Sequence, residues 1–264
     1  MNIFLRELKA NFKSLLIWTV INLLFINIAA AKFSGFANDP AMLAILEKLP
    51  EPLLVLFNIR IFNLTTLSGF YGLMFVYFAL MGAIAAAIWG SDIISKEERD
   101  RTVEFSLVLP VTRSKVITAK ALAALLDCIL FMFIIWGISL VAVQPYNPDP
   151  AFKSFLALEM QALLVIELIF LSIGLLLGCA MQHYKRTGST AVAVILTTYV
   201  LYVLSSIVDE LDNLKYFTPF RYFDGADLLQ TGHLNTSYLA LSAVIVIVCL
   251  AAGYWSYNRR ELYI

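Results

Sequence analysis

Six apolar stretches, each close to the roughly 20 residues that cross a bilayer as a helix, constrain this chain more than any other feature. They cover approximately residues 15–31, 67–90, 119–143, 155–181, 188–208 and 238–257. All eight prolines lie between these stretches, as expected where a helix must satisfy its own backbone in lipid. The sequence therefore predicts an all-α integral membrane protein, a six-transmembrane-helix bundle that forms a single domain over 1–264.

The composition excludes the common soluble classes. Hydrophobic residues make up 61% of the chain and charged residues 14%, whereas soluble domains are about 25% charged. This balance excludes a disordered chain, a basic nucleic-acid binder and a disulfide-stapled secreted module. The two histidines, His183 and His233, have no partner at metal-ligand spacing, so we expect no metal site.

The distribution of lysine and arginine predicts the orientation. Twelve of these residues flank the apolar stretches on the side that holds both termini, and six lie on the opposite side. Cytoplasmic loops carry the excess of positive charge, so we expect a multi-pass protein of the cell membrane with both termini in the cytoplasm. A basic start before an apolar run also occurs in cleaved signal peptides, but this run exceeds their usual length of about 7–15 residues.

Two segments outside the spans have patterns of their own. Residues 1–14 are amphipathic, which predicts an N-terminal helix lying in the membrane interface; an ordinary positive flank of the first span is the alternative. Five of the eight residues over 216–223 are aromatic. These aromatic side chains form either an interfacial belt or the lining of an exit path for substrate.

The predicted cytoplasmic loop over 91–118 contains the most specific pattern in the chain. Thr102 can cap a short helix, Glu104 would lie in its first turn, and Pro110 would end it. Val103 and Leu107 are too apolar for a freely solvated loop. We therefore expect a short cytoplasmic helix that docks either on a partner or beneath its own bundle.

This loop resembles the signature of permease subunits of ABC-2-type transporters. In that family a glutamate precedes a Gly-Thr-x-Glu-x-Leu-Leu segment, which is followed by Pro-Val-Ser-Arg. The matching positions are Glu97, Thr102, Glu104, Leu107, Pro110, Val111 and Arg113. Arg101 stands where glycine is common, Ser106 where leucine is common, and Thr112 replaces serine. The chain's end, at 257–262, is similar to the Arg-Arg-Asp-Leu tail of the family, so the resemblance spans nearly the whole chain.

The resemblance implies half of a transporter. A second copy of the chain or a related permease would complete the translocation path, and a dimer of cytoplasmic ABC ATPase subunits would bind beneath. The segment 102–110 would be the coupling helix. The residues implied in ATPase coupling are Glu97, Thr102, Val103, Glu104, Leu107, Pro110 and Arg113. ATP and Mg²⁺ would be bound by the partner, since this sequence contains no phosphate-binding loop motif, and we expect no catalytic residue or cofactor here.

Acidic residues inside the apolar stretches are candidates for the translocation path. Glu167 lies near the middle of the fourth stretch, where a carboxylate costs about 2.5–3.5 kcal/mol, so it should face protein or water or be protonated. We name Glu167 and Asp127 as candidate path residues; an inter-helix hydrogen bond is the alternative for Glu167. Asp127 and Glu159 lie nearer the ends of their stretches, where a carboxylate is more easily solvated.

Small residues in the second and fourth stretches predict close helix packing. Gly174 and Gly178 are four residues apart, and Gly82, Ala86 and Gly90 have the same spacing. Such residues let backbones approach, and we favour packing within one bundle over a dimer seam.

Three functions fit the sequence to different degrees. The permease of an ATP-driven exporter fits best, with an apolar or amphipathic substrate, although a cation passing Glu167 stays an alternative. An intramembrane protease at Glu97 and Glu98 is disfavoured because this pair lies outside the apolar stretches. A non-transporting membrane scaffold or immunity protein with the same fold is the remaining alternative.

Overall fold

The computed structural model describes residues 3–37, 62–99 and 112–259, together with Pro50. Within these ranges the chain is helical, and six helices are long and apolar enough to cross a membrane. They are α1 (Ile3–Phe33), α2 (Leu67–Arg99), α3 (Arg113–Val143), α4 (Pro150–Ala180), α5 (Tyr184–Ile207) and α8 (Thr236–Arg259). The prediction of an all-α bundle with six candidate spans is confirmed.

Short helices join the long ones on one side of the bundle. A 3-10 turn, Gln144–Tyr146, leads from α3 to α4. A 3-10 segment, Asp209–Phe217, follows α5 and is succeeded by α6 (Pro219–Tyr222) and α7 (Gly225–Thr231). Among these elements, α6 packs against α2, α4 and α5.

Several helices extend beyond the predicted spans. The helix α2 continues to Arg99 and α3 begins at Arg113, so the two ends of the predicted loop 91–118 are helical. Hydropathy marks only the lipid-facing length of a helix, whereas the lysine, glutamate and arginine residues over 96–99 favour helix as strongly as apolar ones. Likewise, the described part of the predicted segment 1–14, from Ile3 onward, forms one uninterrupted helix, α1, with the predicted segment 15–31. The interfacial position of its first part stays a prediction.

The centre of the bundle is the contact between α2 and α4. A Cβ atom on Gly174 would lie 2.3 Å from the carbonyl oxygen of Ala87, and one on Gly90 would lie 2.4 Å from that of Leu171. The two backbones are therefore in direct contact, which glycine alone permits at these positions. This confirms the prediction of close packing within the bundle. Around this pair, α5 packs on α2, α8 packs on α4, and α1 packs mainly on α3.

Candidate coupling site

Lys120 is a buried cation in the second turn of α3. Its side chain is 1% exposed, and its Nζ lies 3.0 Å from Oε1 of Glu97. The same Nζ donates a hydrogen bond of 2.6 Å to the carbonyl oxygen of Ile93. A buried ammonium group is tolerated only when paired in this way. Lys120 thus joins the start of α3 to the end of α2.

Glu7 brings the N-terminal helix into the same site. Its side chain is 1% exposed and forms an ion pair with Lys96, with further contacts of 3.2 Å to Arg6 and 3.5 Å to Lys120. Arg6 also reaches across to Oε1 of Glu97, at 2.9 Å. We call these five side chains, Arg6, Glu7, Lys96, Glu97 and Lys120, the ionic cluster.

The ionic cluster continues toward the interior through an amide. Lys96 Nζ donates to Oδ1 of Asn11 at 3.3 Å, and Asn11 Nδ2 donates to Oδ2 of Asp127 at 2.9 Å. With Asp127 included, three cations face three carboxylates. The three cations pair with Glu7 and Glu97, which makes their burial tolerable, whereas Asp127 is held by the neutral amide of Asn11.

The site includes the helix ends on either side of residues 100–111. Lys96 and Glu97 of the ionic cluster lie in the last turn of α2. Thr112 caps α3, because its side-chain oxygen accepts a hydrogen bond of 3.4 Å from the backbone N–H of Lys115. Arg113 then donates to the carbonyl oxygen of Tyr257 at 3.3 Å, which ties the start of α3 to the end of α8. The end of α2 and the start of α3, on either side of residues 100–111, are therefore held by α1 and α8.

Only two of the seven residues implied in ATPase coupling, Glu97 and Arg113, are among the described residues. Glu97 lies in the ionic cluster, and Arg113 lies at the start of α3. The predicted residues Thr102, Val103, Glu104, Leu107 and Pro110 lie outside the described residues. Sequence reasoning missed the pairing of Glu7 with Lys96 and Lys120. One signal was present, since Lys120 is the only basic residue in the six predicted spans and requires an acidic partner.

The acidic residues of the spans are buried. Asp127 and Glu159 lie nearer the ends of their stretches, where solvation is easier, yet they are 2% and 0% exposed, because both face neighbouring helices rather than the surface. Glu167 is also 0% exposed and occupies the space left by Gly82, where a Cβ would lie 2.8 Å from its Oε1.

The two buried glutamates of α4 differ from the acids of the ionic cluster in their hydrogen bonding. Among the described residues, the carboxyl oxygens of Glu159 and Glu167 have no hydrogen-bond partner. The inter-helix hydrogen bond considered for Glu167 is thus not seen in this part of the chain. A role for Glu167 and Asp127 in the translocation path stays a prediction.

The aromatic run over 216–223 divides into two groups. Tyr216 and Phe217 are 53% and 69% exposed, as an interfacial belt requires. Phe220 is buried, with its ring centroid 5.4 Å from that of Phe170 and 5.7 Å from that of Tyr199. The second group therefore belongs to the bundle interior.

Together the fold and the site define a multi-pass helical membrane protein with a charged, buried junction at one end. Comparison with protein families identifies it further. The family model described as ABC-2 family transporter protein matches residues 1–262, and the chain belongs to this family. It is therefore a permease component of an ABC transporter. A search of curated proteins finds no match.

Proposed function

We propose that the chain is one permease half of an ATP-driven exporter in the cell membrane, with both termini in the cytoplasm. A dimer of separate ABC ATPase subunits binds ATP and Mg²⁺ beneath it. A second copy of the chain, or a related permease, completes the translocation path. The chain itself catalyses no reaction in this scheme.

One observation supports this proposal most directly: the ionic cluster fastens α1 to the two helices that flank segment 100–112. The coupling helix expected over 102–110 is attached to these helices by short connections. A displacement of the coupling helix is then passed to the ends of α2 and α3 together, because Lys120 and Glu97 hold them 3.0 Å apart.

The packing of α2 supports transmission across the membrane. ATP binding would close the ATPase dimer and move the coupling helix, and α2 would carry this motion into the bundle. Since α2 contacts α4 through the backbone at Gly90 and Gly174, the two helices move as one unit. The bundle would then switch between inward and outward exposure.

Purification from native membranes tests the proposal. We expect an ATP-hydrolysing subunit to co-purify with the chain in mild detergent, and to be lost when Glu104 or Leu107 is changed to alanine. Phe217→Ala, an exposed position outside the coupling site, is the matched control and should retain the subunit. A chain that purifies alone with its loop intact would contradict the proposal and favour the scaffold alternative.

A further inference from the structure

A cavity of about 160 Å³ lies among α2, α4, α5 and the elements that join α5 to α8. Its walls are largely aromatic and include Tyr77, Tyr199, Tyr202 and Phe220. In α2 the lining residues fall within 72–79, about 30 Å along the helix from the ionic cluster at a rise of about 1.5 Å per residue. The cavity is therefore separate from the candidate coupling site.

The aromatic wall of the cavity is held by contacts among its own rings. The ring centroids of Tyr199 and Phe220 are 5.7 Å apart, with planes at 89°. The ring of Tyr202 lies 6.1 Å from Tyr199 and 6.5 Å from Phe220. Such pairs stabilise one arrangement of the rings, so the wall exists before any ligand arrives. Aromatic faces attract cations through their quadrupole.

A buried carboxylate forms the edge of this wall. Asp224 is 3% exposed and lines the cavity. The hydroxyl of Tyr202 donates to its Oδ2 at 2.8 Å, and the backbone N–H of Ala226 donates to its Oδ1 at 2.8 Å. These two hydrogen bonds fix the orientation of the carboxylate beside the rings.

Negative charge is in excess at this edge. Arg221 lies 3.3 Å from Oδ2 of Asp224 and 3.2 Å from Oδ2 of Asp227, so one guanidinium group serves two carboxylates. Burial raises the pKa of Asp227; Arg221 opposes this rise and Asp224 adds to it. The three side chains carry one net negative charge. Asp227 is 52% exposed and lies outside the cavity lining, so the carboxylate that faces the cavity is Asp224, which shares Arg221 with Asp227.

We propose that this cavity binds the ammonium group of a small organic cation, and that molecules carrying such a group are the substrate class of this permease. An apolar cavity of about 150 Å³ accommodates one benzene ring, so a group of this size fits. That such molecules are transported rests on the proposed function, whereas the binding of the cation to the cavity does not.

Calorimetric titration of the purified chain tests the binding directly. The chain is placed in phosphatidylglycerol nanodiscs, which contain no ammonium headgroup. The probes are choline and its uncharged isostere 3,3-dimethylbutan-1-ol. We expect choline to bind about tenfold more tightly than the alcohol, because only choline interacts with the ring faces and the carboxylate as a cation.

Two substitutions on α5 provide a matched pair. Val203 lines the cavity, whereas Val200 lies one turn earlier and is 53% exposed. Val203→Phe should fill the cavity and weaken choline binding about tenfold or more, while Val200→Phe should leave it unchanged. Asp224→Asn keeps an oxygen that can cap α7 but removes the charge, and should reduce the preference for choline over the alcohol.

Several results would overturn the proposal. They are equal affinity for the two probes, choline binding that survives Val203→Phe, and no binding of choline to the folded wild-type chain. Loss of choline affinity in phosphatidylcholine nanodiscs would assign the site to a lipid headgroup instead of a free substrate. None of these measurements needs an ATPase, so failure of the proposed coupling would be seen separately.

Discussion

At the scale of single residues, the burial of Lys120 predicts a large loss of stability when this side chain is replaced. It is a buried cation that contacts two carboxylates, one on α1 and one on α2. Replacing it with methionine keeps the length of the side chain but leaves Glu7 and Glu97 with less positive charge. Removing one partner of a buried ion pair costs about 3–5 kcal/mol, so we expect Lys120→Met to lower the free energy of unfolding by about that amount. Thermal unfolding in detergent measures it.

A control for this substitution lies on the same helix. Lys115 is exposed, and Lys115→Met should change the midpoint of unfolding little. Adding Glu97→Gln to the Lys120→Met chain should restore part of the lost stability, because it removes one negative charge from a cluster that has lost one of its cations. Equal midpoints for Lys120→Met and Lys115→Met would contradict the burial of a charged Lys120.

Tyr222 gives a prediction about pH. Burial and the neighbouring Tyr238 raise the pKa of Tyr222 from 10.0 to about 12, and its hydroxyl donates to the carbonyl oxygen of Tyr216. The folded state thus favours the neutral phenol. Its contribution to stability is fully present below pH 10 and is lost as the pH rises toward about 12. The difference in unfolding midpoint between wild type and Tyr222→Phe should be constant up to about pH 10 and shrink above it. A difference independent of pH would exclude this titration.

At the scale of helices, the sequence predicted six spans because hydropathy and proline positions report the same physical constraint. The ends of α2 and α3 were not predicted, since residues 91–99 and 113–118 are polar enough to look like a loop although they are good helix formers. Close packing at the small residues of the second and fourth stretches was predicted from their spacing. That these two helices contact each other was not predicted, because spacing along one helix does not identify the helix that packs against it.

The contact of α2 with α4 can be tested at one atom. Gly174→Ala would place a methyl group 2.3 Å from the carbonyl oxygen of Ala87, and a backbone atom cannot move aside as a side chain can. We expect a loss of about 1–3 kcal/mol of stability, read from the unfolding midpoint.

Gly137 of α3 serves as the comparison for this change. A Cβ there would meet nothing within 4 Å. Gly137→Ala should therefore stabilise the chain by about 0.5–1 kcal/mol, because alanine restricts the unfolded chain. A stabilising effect of Gly174→Ala, like that expected of Gly137→Ala, would mean that α2 and α4 do not touch at Gly174.

At the scale of the whole molecule, a variant of the ionic cluster can separate two steps of the proposed function, docking of the ATPase and transmission of its motion. Glu7 lies on α1, outside the expected coupling helix. We expect Glu7→Gln to leave the ATPase bound but to lower severalfold the substrate moved per ATP hydrolysed, because α1 would no longer be fastened to α2 and α3. Transport and ATP hydrolysis measured on the same proteoliposomes give this ratio.

The exposed residue Lys9, two positions along α1, provides the control. Lys9→Gln should leave the transport ratio unchanged, whereas Val103→Ala with Leu107→Ala should release the ATPase altogether. A normal ratio in Glu7→Gln would remove α1 from the mechanism.

The sequence could predict one member of the ionic cluster and not the rest for a physical reason. Glu97 belongs to a local pattern that a family shares, so its neighbours in sequence identify it. Glu7 and Lys120 are far apart in the chain and meet only through the packing of α1 against α3. No property of either residue alone specifies that meeting.

The buried acids of α4 also have a consequence for how the protein is made. Glu167, near the middle of α4, would cost about 2.5–3.5 kcal/mol as a charge in a lone helix in lipid, yet chains enter the membrane from the N-terminus onward. Because α2 precedes α4, the face that contains Gly82 is already in the bilayer when α4 is synthesised. The order of helices along the gene is thus an order of assembly, in which the receiving surface is made before the segment that needs it.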